Sequence, residues 1–153
     1  PKMQDAFDIM AKGGKAGQFE LKDMARYFPS LAAQAASAGF KGAEGLASLV
    51  SALQMVRKGV GSAEEANSAF SDILGKMEAK DTLKAFKETF GIDAAKAFSK
   101  TRKEGGNLFE TFEQLLTLAE NKKPGEAVNL LFGDKEARKG GRAILDNLAA
   151  RKA

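Results

Sequence analysis

The chain of 153 residues has no histidine, no cysteine and no tryptophan, one tyrosine and three prolines. Each absence removes a kind of chemistry. Without histidine the usual acid–base group of near-neutral pKa is missing. Without cysteine there is no thiolate nucleophile and no disulfide framework. A metal site would need oxygen ligands alone, and no D-x-[DN]-x-[DN]-G loop occurs. No serine sits in a G-x-S-x-G elbow. Long apolar runs are missing too. The longest uncharged stretch, Tyr27 to Phe40, is too short for a membrane span and contains Pro29. No charged segment followed by an apolar run opens the chain, so no signal peptide is visible. The first residue is Pro1 and the helical pattern starts at once, which reads as a piece cut from a longer protein.

Hydrophobic residues make up 44% of the chain, a globular fraction, with 11 phenylalanines to build a core. The net charge is +4. Residues 1–76 hold 9 Lys/Arg against 8 Asp/Glu, and residues 77–153 hold 15 against 12. Spread this thinly, the excess reads as a solvated surface rather than the concentrated stripe of a nucleic-acid binder.

Apolar residues recur at helical spacing, and no strand-like alternation is found. Leu46, Leu49, Val50, Leu53 and Val56 share one helix face, as do Ala66, Ala69, Phe70, Ile73, Leu74 and Met77. Leu108, Phe112, Leu115, Leu116 and Ala119 make a third face; Ala137, Gly141, Ile144, Leu145 and Leu148 make a fourth. Ser62 and Glu65 form a capping box, and Asp81, Asp93, Asn107 and Asp134 are N-cap candidates. Gly39, Gly59, Gly91 and Gly133 lie where a left-handed C-cap is cheapest, and Pro29 suits the first turn of the Ala-rich stretch 30–38. The Gly-Phe-Lys-Gly turn at 39–42 is the candidate interface element.

The expected fold is therefore all-α, with about eight to ten short helices packed as hairpins and no β-sheet. The spacing predicts helices over 2–12, 20–28, 30–38, 43–58, 63–77, 82–90, 94–104, 108–121 and 126–150, the last breaking near Phe132-Gly133. The chain reads as a single segment, 1–153, with a loosened pattern at 75–81 that suggests subdomains 1–76 and 81–153.

Paired carboxylates could support glycoside cleavage. The nearest pairs, Asp5/Asp8, Glu64/Glu65 and Glu110/Glu113, all fit first turns of helices, where acids favour the positive dipole end. Gly59-Val60-Gly61 follows a helix and lacks the third glycine of a dinucleotide fingerprint. The glycine pairs at 13–14, 105–106 and 140–141, with Lys or Arg close by, could bind phosphate but read as flexible turns; at 140–141, inside a helix, close approach of another helix or a bend would account for the glycines. No catalytic residue, cofactor site or metal site is assigned.

From Gly17 to Met77 the sequence becomes specific: Gly17-Gln-Phe-Glu-Leu-Lys-Asp-Met-Ala-Arg26, then Phe28-Pro29-Ser30-Leu31, Gly39-Phe40-Lys41-Gly42, Gln54 to Gly59, and Gly61-Ser62-Ala63-Glu64-Glu65-Ala66. With Phe86 to Asp93 and Leu131 to Arg138, this order resembles the conserved region of phage tail tape measure proteins. The resemblance implies a structural virion protein, not an enzyme, that sets tail length, templates tube assembly and leaves the tail at infection. It implies partners among the tail tube protein, tail assembly chaperones and baseplate or tip proteins, with self-association open. It also implies a place in the tail lumen after synthesis in the bacterial cytoplasm. The alternative is an all-α nucleic-acid-binding or membrane-active module, though no feature of the segment singles out either contact.

Overall fold

The computed structural model describes residues 4–6, 8–10 and 19–152, and side chains up to 150. Among them the structure is all-α, with no strand. Residues 4–6 and 8–10 are helical; the rest of the helix expected over 2–12 lies outside the described residues. Eight helices with defined bounds follow: α1 Leu21–Ser37, α2 Gly42–Lys58, α3 Ala63–Lys76, α4 Lys80–Phe90, α5 Ala94–Lys103, α6 Leu108–Lys122, α7 Ala127–Leu131 and α8 Lys135–Lys152.

The N-terminal half forms around α3. Met24, Leu31 and Ala35 of α1 are buried, as are Leu49, Leu53 and Val56 of α2 and Ala66, Ala69, Phe70 and Ile73 of α3. α1 and α2 both pack on α3, and α8 closes over α2 and α3 from the other end of the chain. The α4–α5 hairpin packs on α6 and α7. Phenylalanine rings join the two groups. Phe70 lies 5.4 Å from Phe109, which lies 6.5 Å from Phe112, which lies 6.0 Å from Phe132. Phe40 touches both Phe70 and Phe109.

The break expected at Pro29 is corrected: α1 runs through it. A proline inside a helix forfeits one backbone hydrogen bond, here to the carbonyl of Ala25. Both residues are exposed, so water reaches that carbonyl. The apolar face continues past the proline to Leu31 and Ala35, and its burial carries the helix across. α1 opens with Glu20, whose N–H donates to Asp23 Oδ2 at 2.9 Å. It ends where Phe40 N–H donates to Ala35 O and Gly39 N–H to Ala36 O, the Schellman pattern, with Gly39 at φ +94°.

Three further terminators are also corrected. Gly59 has φ −95°, so it is no left-handed cap. A Cβ there would stand 2.5 Å from Ala143 Cβ, so glycine is required by contact with α8 instead. Gly133 also lacks a positive φ. Phe132 ends α7 in an extended conformation with its ring buried, and Gly133 merely links it to Asp134, the next cap. Asp81 lies in the first turn of α4, whose N-cap is Ala79.

Replacing Pro29 by Ala restores an amide that can donate to Ala25 O. Chemical denaturation should show a gain of about 1–2 kcal/mol, less than the full helix-interior difference because the unfolded chain loosens too. A loss of stability would mean that the ring packs against something essential.

Candidate functional site

The residues singled out from the sequence as turns and caps fall at helix joints. Ser62 Oγ accepts from Glu65 N–H at 3.1 Å, and the Glu65 carboxylate reaches back one residue further than a capping box requires, to Gly61 N–H at 3.3 Å. That hydrogen bond, with Lys139 3.6 Å away on α8, holds Glu65 below the usual carboxylate range. Gly91, at φ +67°, ends α4, and Asp93 caps α5 by accepting from Lys96 N–H at 3.1 Å. Gly42, at φ +62°, opens α2. Gly39 packs against a neighbouring turn. Its Cβ position lies 2.5 Å from Gly106 O, and Leu108 N–H donates to Ala38 O at 2.7 Å. The α1–α2 turn is thereby seated on the α5–α6 turn.

Asp134 is at the densest charge cluster. Its Oδ2 accepts from Ala137 N–H at 3.1 Å, capping α8, while Oδ1 lies 2.6 Å from Lys76 Nζ. Lys76 also pairs with Asp72, at 3.0 Å. The end of α3 is thus fastened to the start of α8. Burial, then a hydrogen bond with Asp134, raises the pKa of Asp72. The same contact with Asp72, then Lys76, lowers that of Asp134. The hydrogen bond to Asp134 raises Lys76. One proton therefore resides on Asp72 in preference to Asp134 as pH falls.

Two glutamines missed from the sequence hold backbone in place. Gln54 is buried and clamps Phe19 from both sides: Phe19 N–H donates to Oε1 at 3.0 Å, and Nε2 donates to Phe19 O at 2.6 Å. Gln34 ties α1 to α3, accepting from Ser71 Oγ at 2.7 Å and donating to Ser71 O at 3.2 Å. Only their positions among apolar neighbours could have flagged them; amide chemistry does not name its partner.

The carboxylate pairs do not converge on a reaction centre. Glu64 and Glu65 lie in the first turn of α3 and Glu110 in that of α6, while Asp8 accepts from Gln4. Among the described residues no group of three acids could hold a metal ion, and no helix is long and apolar enough to cross a membrane. The glycine pair 13–14 lies outside the described residues. An apolar depression of about 620 Å³ runs along α1, lined by Met10, Leu21, Met24, Phe28 and Pro29.

The comparisons agree with the resemblance read from the residues. A family model described as phage-related minor tail protein matches residues 1–133. The chain belongs to that family of phage tail proteins. It is 38% identical over 108 residues to a probable tape measure protein of Burkholderia phage BcepMu. That alignment covers 71% of this chain and 13% of the relative, so the chain corresponds to a small part of the protein it matches. No solved structure matches.

The Asp72–Lys76–Asp134 cluster makes opposite pH predictions for two near-isosteric substitutions. Asp134, whose folded pKa is lowered, contributes stability above its unfolded value of 3.8 that is lost as pH falls through the folded value. Asp134→Asn should therefore cost about 0.5 kcal/mol at pH 7, discounted because the side chains are partly exposed, and the deficit should fade below that unfolded value. Asp72, whose folded pKa is raised, behaves conversely: its stabilising proton is held below 3.8 and lost as pH rises through the folded value. Asp72→Asn should be neutral or stabilising at pH 7 and lose that advantage in acid. Urea titrations of both variants from pH 3 to pH 7 check this; parallel profiles would contradict it.

Proposed function

We propose that this chain is a structural segment of a tape measure protein. The whole protein sets tail length, templates tube assembly and is released from the tail at infection; this segment is a folded docking or delivery element of it. The observation that carries the reading is the family match over residues 1–133 on a chain whose helices close on a shared core. A ruler gains most length per residue when extended, and 153 residues of continuous helix would span about 230 Å. Here the longest helix has 18 residues, and turns return each helix onto its neighbours. A folded globule of this size has a radius of gyration of only about 15 Å.

On this proposal the partners are other tail components: the tube protein, the assembly chaperones, and baseplate or tip proteins. The site of action is the tail lumen. The segment does no catalysis. Its sequence lacks His and Cys, and carboxylates such as Glu65, Asp93 and Asp134 are occupied as helix caps.

Duplicating residues 1–153 in frame within a phage tape measure gene tests this. Electron microscopy should show tails of unchanged length. Tails longer by a distance on the scale of an extended helix would mean that the segment lies stretched in the lumen and acts as ruler itself.

A further inference from the structure

The helix bounds expose a pattern that charge counts per half conceal. Lys80, Lys84 and Lys87 recur at i, i+4 and i+7 along α4, and Lys96, Lys100 and Lys103 repeat that spacing along α5. Such spacing places three side chains on one helix face over about 10 Å. All six are exposed, and each stripe lies opposite its helix's buried face, which is Phe86 and Phe90 on α4 and Phe98 on α5. Among the described residues none of the six forms an ion pair. Of the nearby charges, the acids Asp81, Glu88 and Glu104 are exposed as well, and others are engaged. Arg102 is bound through both oxygens of Glu78, at 2.6 and 2.8 Å, and the Asp93 carboxylate caps the backbone of α5.

We propose that the outer face of the α4–α5 hairpin is an electrostatic binding surface for the phosphate backbone of duplex nucleic acid. The residue types choose this partner. Protein interfaces favour Tyr, Trp, Phe and Arg and are depleted of Lys. Lysine, a flexible point charge suited to phosphates without regard to sequence, is the dominant charge of this face, with the exposed acids Asp81, Glu88 and Glu104 beside the stripes. A lipid surface fits less well, because the apolar sides of both helices are in the core. The exposed large hydrophobic residues, Leu21, Leu118 and Leu130, all lie on other helices.

Fluorescence anisotropy with a labelled duplex of about 20 base pairs, from ~20 to ~200 mM salt, tests the proposal. The 153-residue chain should bind at low salt, with a log–log slope reaching about −5 if all six lysines engage phosphates. Lys84→Glu with Lys100→Glu should weaken binding at least tenfold and flatten the slope. Reversing Lys41 and Lys58, exposed elsewhere, should leave both within twofold. Circular dichroism and Tm confirm that each variant is folded. No binding at the lowest salt, or equal damage from the Lys41/Lys58 variant, overturns the proposal. So does displacement of the duplex by poly-glutamate or by phosphatidylserine vesicles at equal charge, which would assign the face to an acidic polypeptide or a membrane.

Discussion

Gly140 brings the backbone of α8 against α3: a Cβ there would stand 2.9 Å from Ile73 Cγ1 and 3.2 Å from the Ala69 carbonyl oxygen. Gly59 admits the same helix at its other contact, where its Cβ position is 2.5 Å from Ala143 Cβ. Gly141, one residue on, faces Val128 of α7. Small residues at such points let helices approach with little side chain between them, and dispersion then acts over many atom pairs. A glycine within a helix costs roughly 1 kcal/mol relative to Ala, so this approach has to return at least that. The rest of the arrangement follows from it. With α8 seated, Ile144 and Leu145 complete the core, Lys139 comes within reach of Glu65, and Asp134 meets Lys76.

The all-α class and most helix positions were legible because amphipathic spacing is local and repeats over several turns. The pair Gly140-Gly141 was legible as either a close approach or a bend, and the contacts with Ile73, Ala69 and Val128 show the former. Pro29 misled, since a proline signals a break only where the local cost exceeds the burial gained by continuing. Gly59 and Gly133 misled because a glycine after a helix has two physical explanations, left-handed backbone or close approach, and sequence does not separate them. The Gln54 clamp on Phe19 and the Asp72–Lys76–Asp134 cluster join residues distant in sequence, so no spacing announces them. Five of the six lysines fall within the helices expected over 82–90 and 94–104; the place of Lys80 in α4 and the absence of ion pairs among the described residues came only with the structure.

These features bear on how a tail protein can contain such a segment. The last described helix packs on α2, α3, α6 and α7, so it ties the two groups of helices together. A segment built this way resists gradual stretching, because pulling α8 away uncovers the α3 face and the ring series behind it together.

The central claim is that close backbone approach by α8 fixes the fold, and a double-mutant cycle between Gly59 and Ala143 tests it most directly. By urea denaturation, Gly59→Ala should destabilise by about 1–3 kcal/mol, as overpacking does. Ala143→Gly alone should cost about 1 kcal/mol in helix propensity. Combined, the two should cost less than their sum by at least ~1 kcal/mol, since Ala143→Gly removes the Cβ that the methyl introduced by Gly59→Ala would meet. Additivity within about 0.5 kcal/mol would contradict the claim and place the organising contact elsewhere.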